Sequence, residues 1–93
     1  MPDVLIVHEV DDYAAWKAVF DSAAGIRREA GERSYRVLRC DDDPLRIVHL
    51  SEWTSHAAAR AFFESPELVE IRARAGVRAP TFLYLEELEA GEL

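Results

Sequence analysis

Residues 7–20 read Val-His-Glu-Val-Asp-Asp-Tyr-Ala-Ala-Trp-Lys-Ala-Val-Phe, and residues 50–63 read Leu-Ser-Glu-Trp-Thr-Ser-His-Ala-Ala-Ala-Arg-Ala-Phe-Phe. Set side by side, Glu9 meets Glu52, Ala14 and Ala15 meet Ala57 and Ala58, Lys17 meets Arg60, Ala18 meets Ala61 and Phe20 meets Phe63. Each copy is the end of an apolar strand, a polar cap and the start of a helix. Two such units in one chain predict a repeated β-α-β. The repeat speaks to architecture before it speaks to chemistry.

Outward from the first copy, Val4 to Val10 is a short apolar run with β-branched residues, which reads as a buried strand. Asp11 and Asp12 are N-cap types, and Tyr13, Trp16, Phe20, Ala23 and Ile26 or Arg27 then form one helical stripe ending at Gly31. Ser34 to Cys40 alternates as a second strand, Asp41-Asp42-Asp43-Pro44 turns, and Leu45 to Trp53 returns as a third, antiparallel to the second. Thr54 or Ser55 caps the second helix, Ser65-Pro66 interrupts and restarts it towards Gly76, and a last strand follows Pro80, from Thr81 to Leu88. The order is β-α-β-β-α-β. This predicts a ferredoxin-like α+β sandwich, a four-stranded antiparallel sheet with both helices on one face. Right-handed crossovers place the two repeat strands side by side at its centre, where they are expected to run parallel to each other.

The 93 residues make one domain, residues 1–93, burying about 60–65% of its unfolded surface. Hydrophobic residues are 49% of the chain, more than one small sheet with two helices needs, and Leu5-Ile6-Val7 and Ile47-Val48 lack polar alternation. An apolar sheet face left open predicts a homodimer. The net charge of −7 argues against nucleic acid and against an anionic membrane. A single cysteine, Cys40, excludes an internal disulfide and a Cys-rich zinc site. The start, Met-Pro-Asp-Val-Leu-Ile-Val, has no basic segment and too short an apolar run for a signal peptide, so a cytoplasmic protein is expected.

Glu52-Trp53-Thr54-Ser55 at the end of the third strand, the alanine-rich helix start and Ser65-Pro66 resemble the dimeric α+β barrel superfamily, and within it the antibiotic-biosynthesis-monooxygenase-like group. The resemblance covers nearly the whole chain. It implies a homodimer whose sheets pack face to face into an α+β barrel, with a cleft between sheet and helices in each subunit. It also implies activity on an aromatic or polyketide-like small molecule, as a cofactor-independent monooxygenase or a polyketide-cyclase-like acid–base enzyme. A non-catalytic ligand-binding or structural dimer is the alternative. Trp53 sits where such families place a functional tryptophan. The chain has no Asn, so the first-strand asparagine of quinone-forming members is missing, and Phe62 occupies the place of a helical histidine three residues before the Ser-Pro pair.

In the repeat register, Ile6, His8 and Val10 share a sheet face with His49, Ser51 and Trp53, with His8 opposite Ser51 and His49 about 7–8 Å away on the diagonal. Two imidazoles on an apolar face are candidate acid–base groups, and Tyr84 on the last strand is a candidate second proton donor. The expected cleft is walled by Trp16, Phe20, Trp53 and Phe62, which suit a planar ligand. The alternatives are a plain aromatic core, in which these rings and Phe63 form one cluster, and a pair of hydrogen-bonded histidines at the dimer seam. Glu9 cannot orient His8 for a Ser51 triad, because adjacent strand residues point to opposite faces. Glu9 and Glu52 fall on the other face, beside Arg36 or Arg46. His8 and His49 supply only two ligands, Asp41-Asp42-Asp43 lacks the spacing of a calcium loop, and no Gly-rich phosphate cradle follows the first strand. No metal, haem or flavin is therefore expected to copurify, and Cys40 reads as inert.

Overall fold

The structure, a computed structural model, describes residues 2–93. Eight elements follow in order: β1 (Asp3–Val10), α1 (Tyr13–Ser22), α2 (Ala24–Ala30), β2 (Glu32–Cys40), β3 (Asp43–Trp53), α3 (His56–Phe63), α4 (Pro66–Arg74) and β4 (Val77–Leu85). The strands form one antiparallel sheet in the order β2-β3-β1-β4. The repeat holds at the level of caps. Asp12 accepts from Ala15 N at 2.8 Å and Ser55, at the equivalent position, accepts from Ala58 N at 3.0 Å. The two equivalent pairs that follow, Trp16 with Ala59 and Phe20 with Phe63, are buried.

The repeat strands are neighbours at the centre, but they pair antiparallel rather than parallel. A right-handed crossover carries the chain from β1 past one vacant position to β2, and β3 then fills that position by hairpin from β2. Running against β2, β3 also runs against β1. The register changes accordingly: His8 lies opposite Ile47, Ile6 opposite His49, and Val4, not His8, opposite Ser51. The shared face and the diagonal placement of His8 and His49 are as expected.

The first helix expected from the sequence is two, and the second is interrupted where the sequence places the break. Ala23 breaks the first and Ser65-Pro66 the second, where Ser65 Oγ accepts from Leu68 N at 3.3 Å and Pro66 begins α4. The last strand starts at Val77, before Pro80, and ends at Leu85. Pro80 fits because β4 is an edge strand and the register slips between Val7 and Glu9, with Ala79 at φ +49°.

Burial alternates strictly along β1: Val4, Ile6, His8 and Val10 are buried under the helices, with Ile47, His49, Ser51 and Trp53 beside them on β3. The core is in two parts. Val4, Ile6, Trp53, Ala59 and Phe63 form one cluster, and Val10, Trp16, Phe20, Ile47 and Ala75 the other. The single aromatic cluster expected from the sequence is thus divided. Among the described residues no helix covers the opposite sheet face; Leu38, Leu83 and Leu85 are exposed there and Leu5, Val7, Val48 and Leu50 are half-buried.

Candidate functional site

Between the two core clusters, under α1 and α4, lies a cleft of about 70 Å³. Its walls are apolar and largely aromatic. Trp16 and Phe20, one turn apart on α1, stack with ring centroids 4.8 Å apart, and Phe62, Phe63 and Phe82 close the other side. The sheet supplies His8 and His49, and two helices supply one arginine each, Arg27 and Arg72. Few polar groups converging in an apolar pocket is the composition of a small-molecule site.

His8 is 5% exposed, its ring 5.2 Å from that of Trp16, and its buried Nε2 has no hydrogen-bond partner among the described residues. Burial, with smaller contributions from the nearby charges of His49 and Arg72, lowers its pKa from 6.5 to about 4. At neutral pH it is an uncharged imidazole. Arg72 enters from α4, donating from Nη1 to Phe63 O at 3.0 Å with its guanidinium carbon 5.0 Å from the Phe82 ring centre. Its half-buried position draws its pKa below the usual guanidinium value.

His49 belongs to a buried polar network that sequence reasoning missed. Arg27 sits over the Phe20 ring, the guanidinium carbon 3.8 Å from the ring centre, and donates from Nη2 to Phe20 O at 3.1 Å and from Nη1 to Glu32 Oε1. The other carboxylate oxygen of Glu32 stands 2.9 Å from His49 Nε2. That approach is close but off the axis of a hydrogen bond, so each atom lacks an aligned partner. Glu32 reaches this position through a bulge. Register slips between Glu32 and Ser34, so Glu32 pairs with Trp53 on the helix-covered face although Ser34, two residues on, pairs with Glu52 on the open one. Strand alternation alone puts Glu32 outside.

Of the residues singled out in the sequence, His8, His49, Trp16, Phe20 and Phe62 come together at the cleft. Trp53 does not line it. It is fully buried behind Phe62 and Phe63, and its indole N–H donates to Ser51 Oγ at 2.8 Å. Tyr84 also lies outside, on the edge strand beside Val4, with the Arg60 guanidinium 4.0 Å from its ring centre. Burial, then Glu64, raises its pKa against opposing effects of Arg60 and Arg72. Nearby, His56 Nε2 donates to Leu85 O at 2.8 Å, which fixes that ring at the end of the sheet. Glu9 faces Arg46 across the open side, whereas Glu52 accepts from Ser34 Oγ at 2.8 Å instead of pairing with Arg36. Among the described residues, no group of three or more His, Cys, Asp or Glu side chains is gathered closely enough to hold a metal ion.

A ferredoxin-like α+β sandwich with an aromatic cleft between sheet and helices defines the class. The family model for antibiotic biosynthesis monooxygenases matches residues 7–74, well over half of the chain, and the protein belongs to that family. Among solved structures, SnoaB, a cofactor-independent oxygenase from Streptomyces nogalater, superposes with a TM-score of 0.77 at 17% identity, over 96% of this chain and 94% of that one. Rv0793 from Mycobacterium tuberculosis superposes with a TM-score of 0.68 at 22% identity, over 99% of this chain and all of its own. At these identities the likeness is one of fold. No match was found among curated proteins.

Proposed function

We propose that the protein is a cofactor-independent monooxygenase acting on an aromatic or polyketide-like small molecule, and that it works as a homodimer joined through the helix-free sheet face. The observation that carries the reading is the free Nε2 of His8 in an aromatic-walled cleft. A buried ring nitrogen without a partner costs about 1–3 kcal/mol, and a ligand hydroxyl offsets that cost by donating to it. A neutral imidazole is the form that accepts such a bond. Family membership and the likeness to SnoaB support the oxygenase chemistry.

The reaction needs little from the protein. An imidazole takes a proton from an activated CH2 of a phenolic substrate. The resulting carbanion gives one electron to dioxygen, and the radical pair combines to a peroxide. That peroxide takes a proton back and loses water, so CH2 and O2 become C=O and H2O. Aromatic walls hold the ring plane, and the guanidinium of Arg72 faces the negative charge that develops on the substrate oxygen.

The cleft is smaller than the roughly 150 Å³ cavity that admits benzene, so a polycyclic ligand must part α1 and α4. This tight fit favours the second reading, a structural dimer with a filled core. The two separate in one experiment. Oxygen consumption and quinone absorbance are followed with a hydroxylated polycyclic aromatic that has an acidic benzylic CH2, for the parent, His8→Ala and His49→Ala. Loss of turnover in both variants, with the fold and dimer retained, supports the oxygenase. Lower melting temperatures with unchanged ligand affinity support the structural dimer.

A further inference from the structure

We propose that Glu32, clamped by Arg27, is a positioning residue for His49. It holds the imidazole with Nε2–H towards the carboxylate, leaving Nδ1 as the nitrogen that carries the lone pair. This rests on the reading of the cleft as a reaction site. Three observations carry it. The carboxylate and the guanidinium are both about 95% buried, a placement two charged groups take at high desolvation cost, and His49 beside them is 3% exposed. The contacts are divided by atom: Glu32 Oε1 accepts from Arg27, and Oε2 stands 2.9 Å from His49 Nε2, off the hydrogen-bond axis, so that the carboxylate acts on that nitrogen by charge and proximity. Finally, a bulge in β2 is what turns Glu32 inward at all.

A carboxylate behind an imidazole selects one tautomer, orients the ring and balances the charge the ring takes on with a proton. Arg27 in turn fixes the carboxylate. Because Arg27 also lies on Phe20, whose ring meets that of His49 edge-on at 5.0 Å, the polar support and the aromatic wall hold the same imidazole from two sides. His8, by contrast, has no such support, which divides the labour between the two rings. His49 accepts the substrate proton and His8 binds the substrate hydroxyl.

The test uses Glu32→Gln, and the double variant Arg27→Met/Glu32→Met, which removes both buried charges together and so guards against misfolding from a lone one. Long-range 1H–15N correlation spectra of the ligand-free protein read the tautomer of His49. One Nε2–H form in the parent and a mixture in both variants is the expected result. With a turned-over substrate, kcat falls about 10–100-fold with KM within about twofold, the scale of a supporting-residue loss. Glu32→Asp restores part of it. A parent that already populates both tautomers, or variants that lose only melting temperature while tautomer and kcat stay unchanged, overturns the proposal. If no substrate is turned over by the parent, the oxygenase reading fails, and the ligand-free spectra still decide the role of Glu32.

Discussion

His8 ties acid stability to the cleft. Its folded pKa, about 4, lies below the 6.5 of a free imidazole, so the unfolded chain binds the proton first as pH falls. The contribution is complete above about pH 6.5 and is lost progressively down to about pH 4, amounting to roughly 3 kcal/mol at 1.36 kcal/mol per pH unit. Replacing His8 by Leu removes that slope. Denaturant unfolding of parent and His8→Leu from pH 7 to pH 4 is expected to show curves that converge or cross in favour of the variant on acidification. Parallel curves rule the assignment out. His8 and His49 were legible as partners because period-two alternation on two neighbouring strands fixes a face whatever the strand direction. Glu32 was not legible for the same reason: one bulge residue reverses the parity of everything before it, and no local preference of Glu-Arg-Ser announces a bulge. Trp53 and Tyr84 share the right face, but their positions along the strands, nearer the Val4 end, keep them from the cleft.

At the scale of elements, the junction between α2 and β2 sets the entry of Glu32. Gly31 has φ +130°, and a Cβ there would stand 2.6 Å from Thr54 Oγ1. Its N–H also bonds back to the last turn of α2, and its carbonyl accepts from Thr54 N at 2.9 Å, joining the first helical unit to the second. Gly31→Ala therefore meets both backbone strain and a contact with little room to yield. We expect a loss of about 1–3 kcal/mol, read from the denaturation midpoint. A neutral effect means the backbone relaxes without displacing Thr54. Glycine at a helix end and Ser-Pro at a helix start are punctuation a sequence displays, which is why Gly31 and Pro66 were placed correctly. The break at Ala23 carries no such mark. Ala23 N bonds to both Val19 and Phe20 carbonyls, and the turn that follows is set by Arg27 reaching back to Phe20 O. Pro80 misled in the opposite sense: it marks the expected start of the last strand, but β4 begins at Val77 and runs through it, because at a sheet edge a missing N–H costs little.

For the whole molecule, the question is what covers the second face of the sheet. Leu5, Val7, Val48 and Leu50 at its centre and Leu38, Leu83 and Leu85 towards its edges form a continuous apolar surface, ringed by Asp3, Glu9, Glu52, Arg36 and Arg46. Such a face buried against a copy of itself places each Leu or Val in an apolar setting, worth about 25 cal/mol per Å² removed from water. Val48→Lys on the central strand β3 is thus expected to split the proposed dimer, since it puts an unpaired charge in the middle of the apolar face that each copy would bury. Glu9→Gln at the rim, beside Arg46, is expected to leave it intact. Light scattering at micromolar concentration measures both, with the parent at twice the 10.5 kDa chain mass and Val48→Lys at the chain mass. A parent of 10.5 kDa would remove the dimer from the proposal. The helix-covered cleft stands on the other side of the sheet from this surface. Monomeric Val48→Lys that retained turnover would then show the reaction to be complete within one subunit, whereas loss of turnover with the monomer still folded would make the second sheet the support that holds His8 and His49 at their positions in the first.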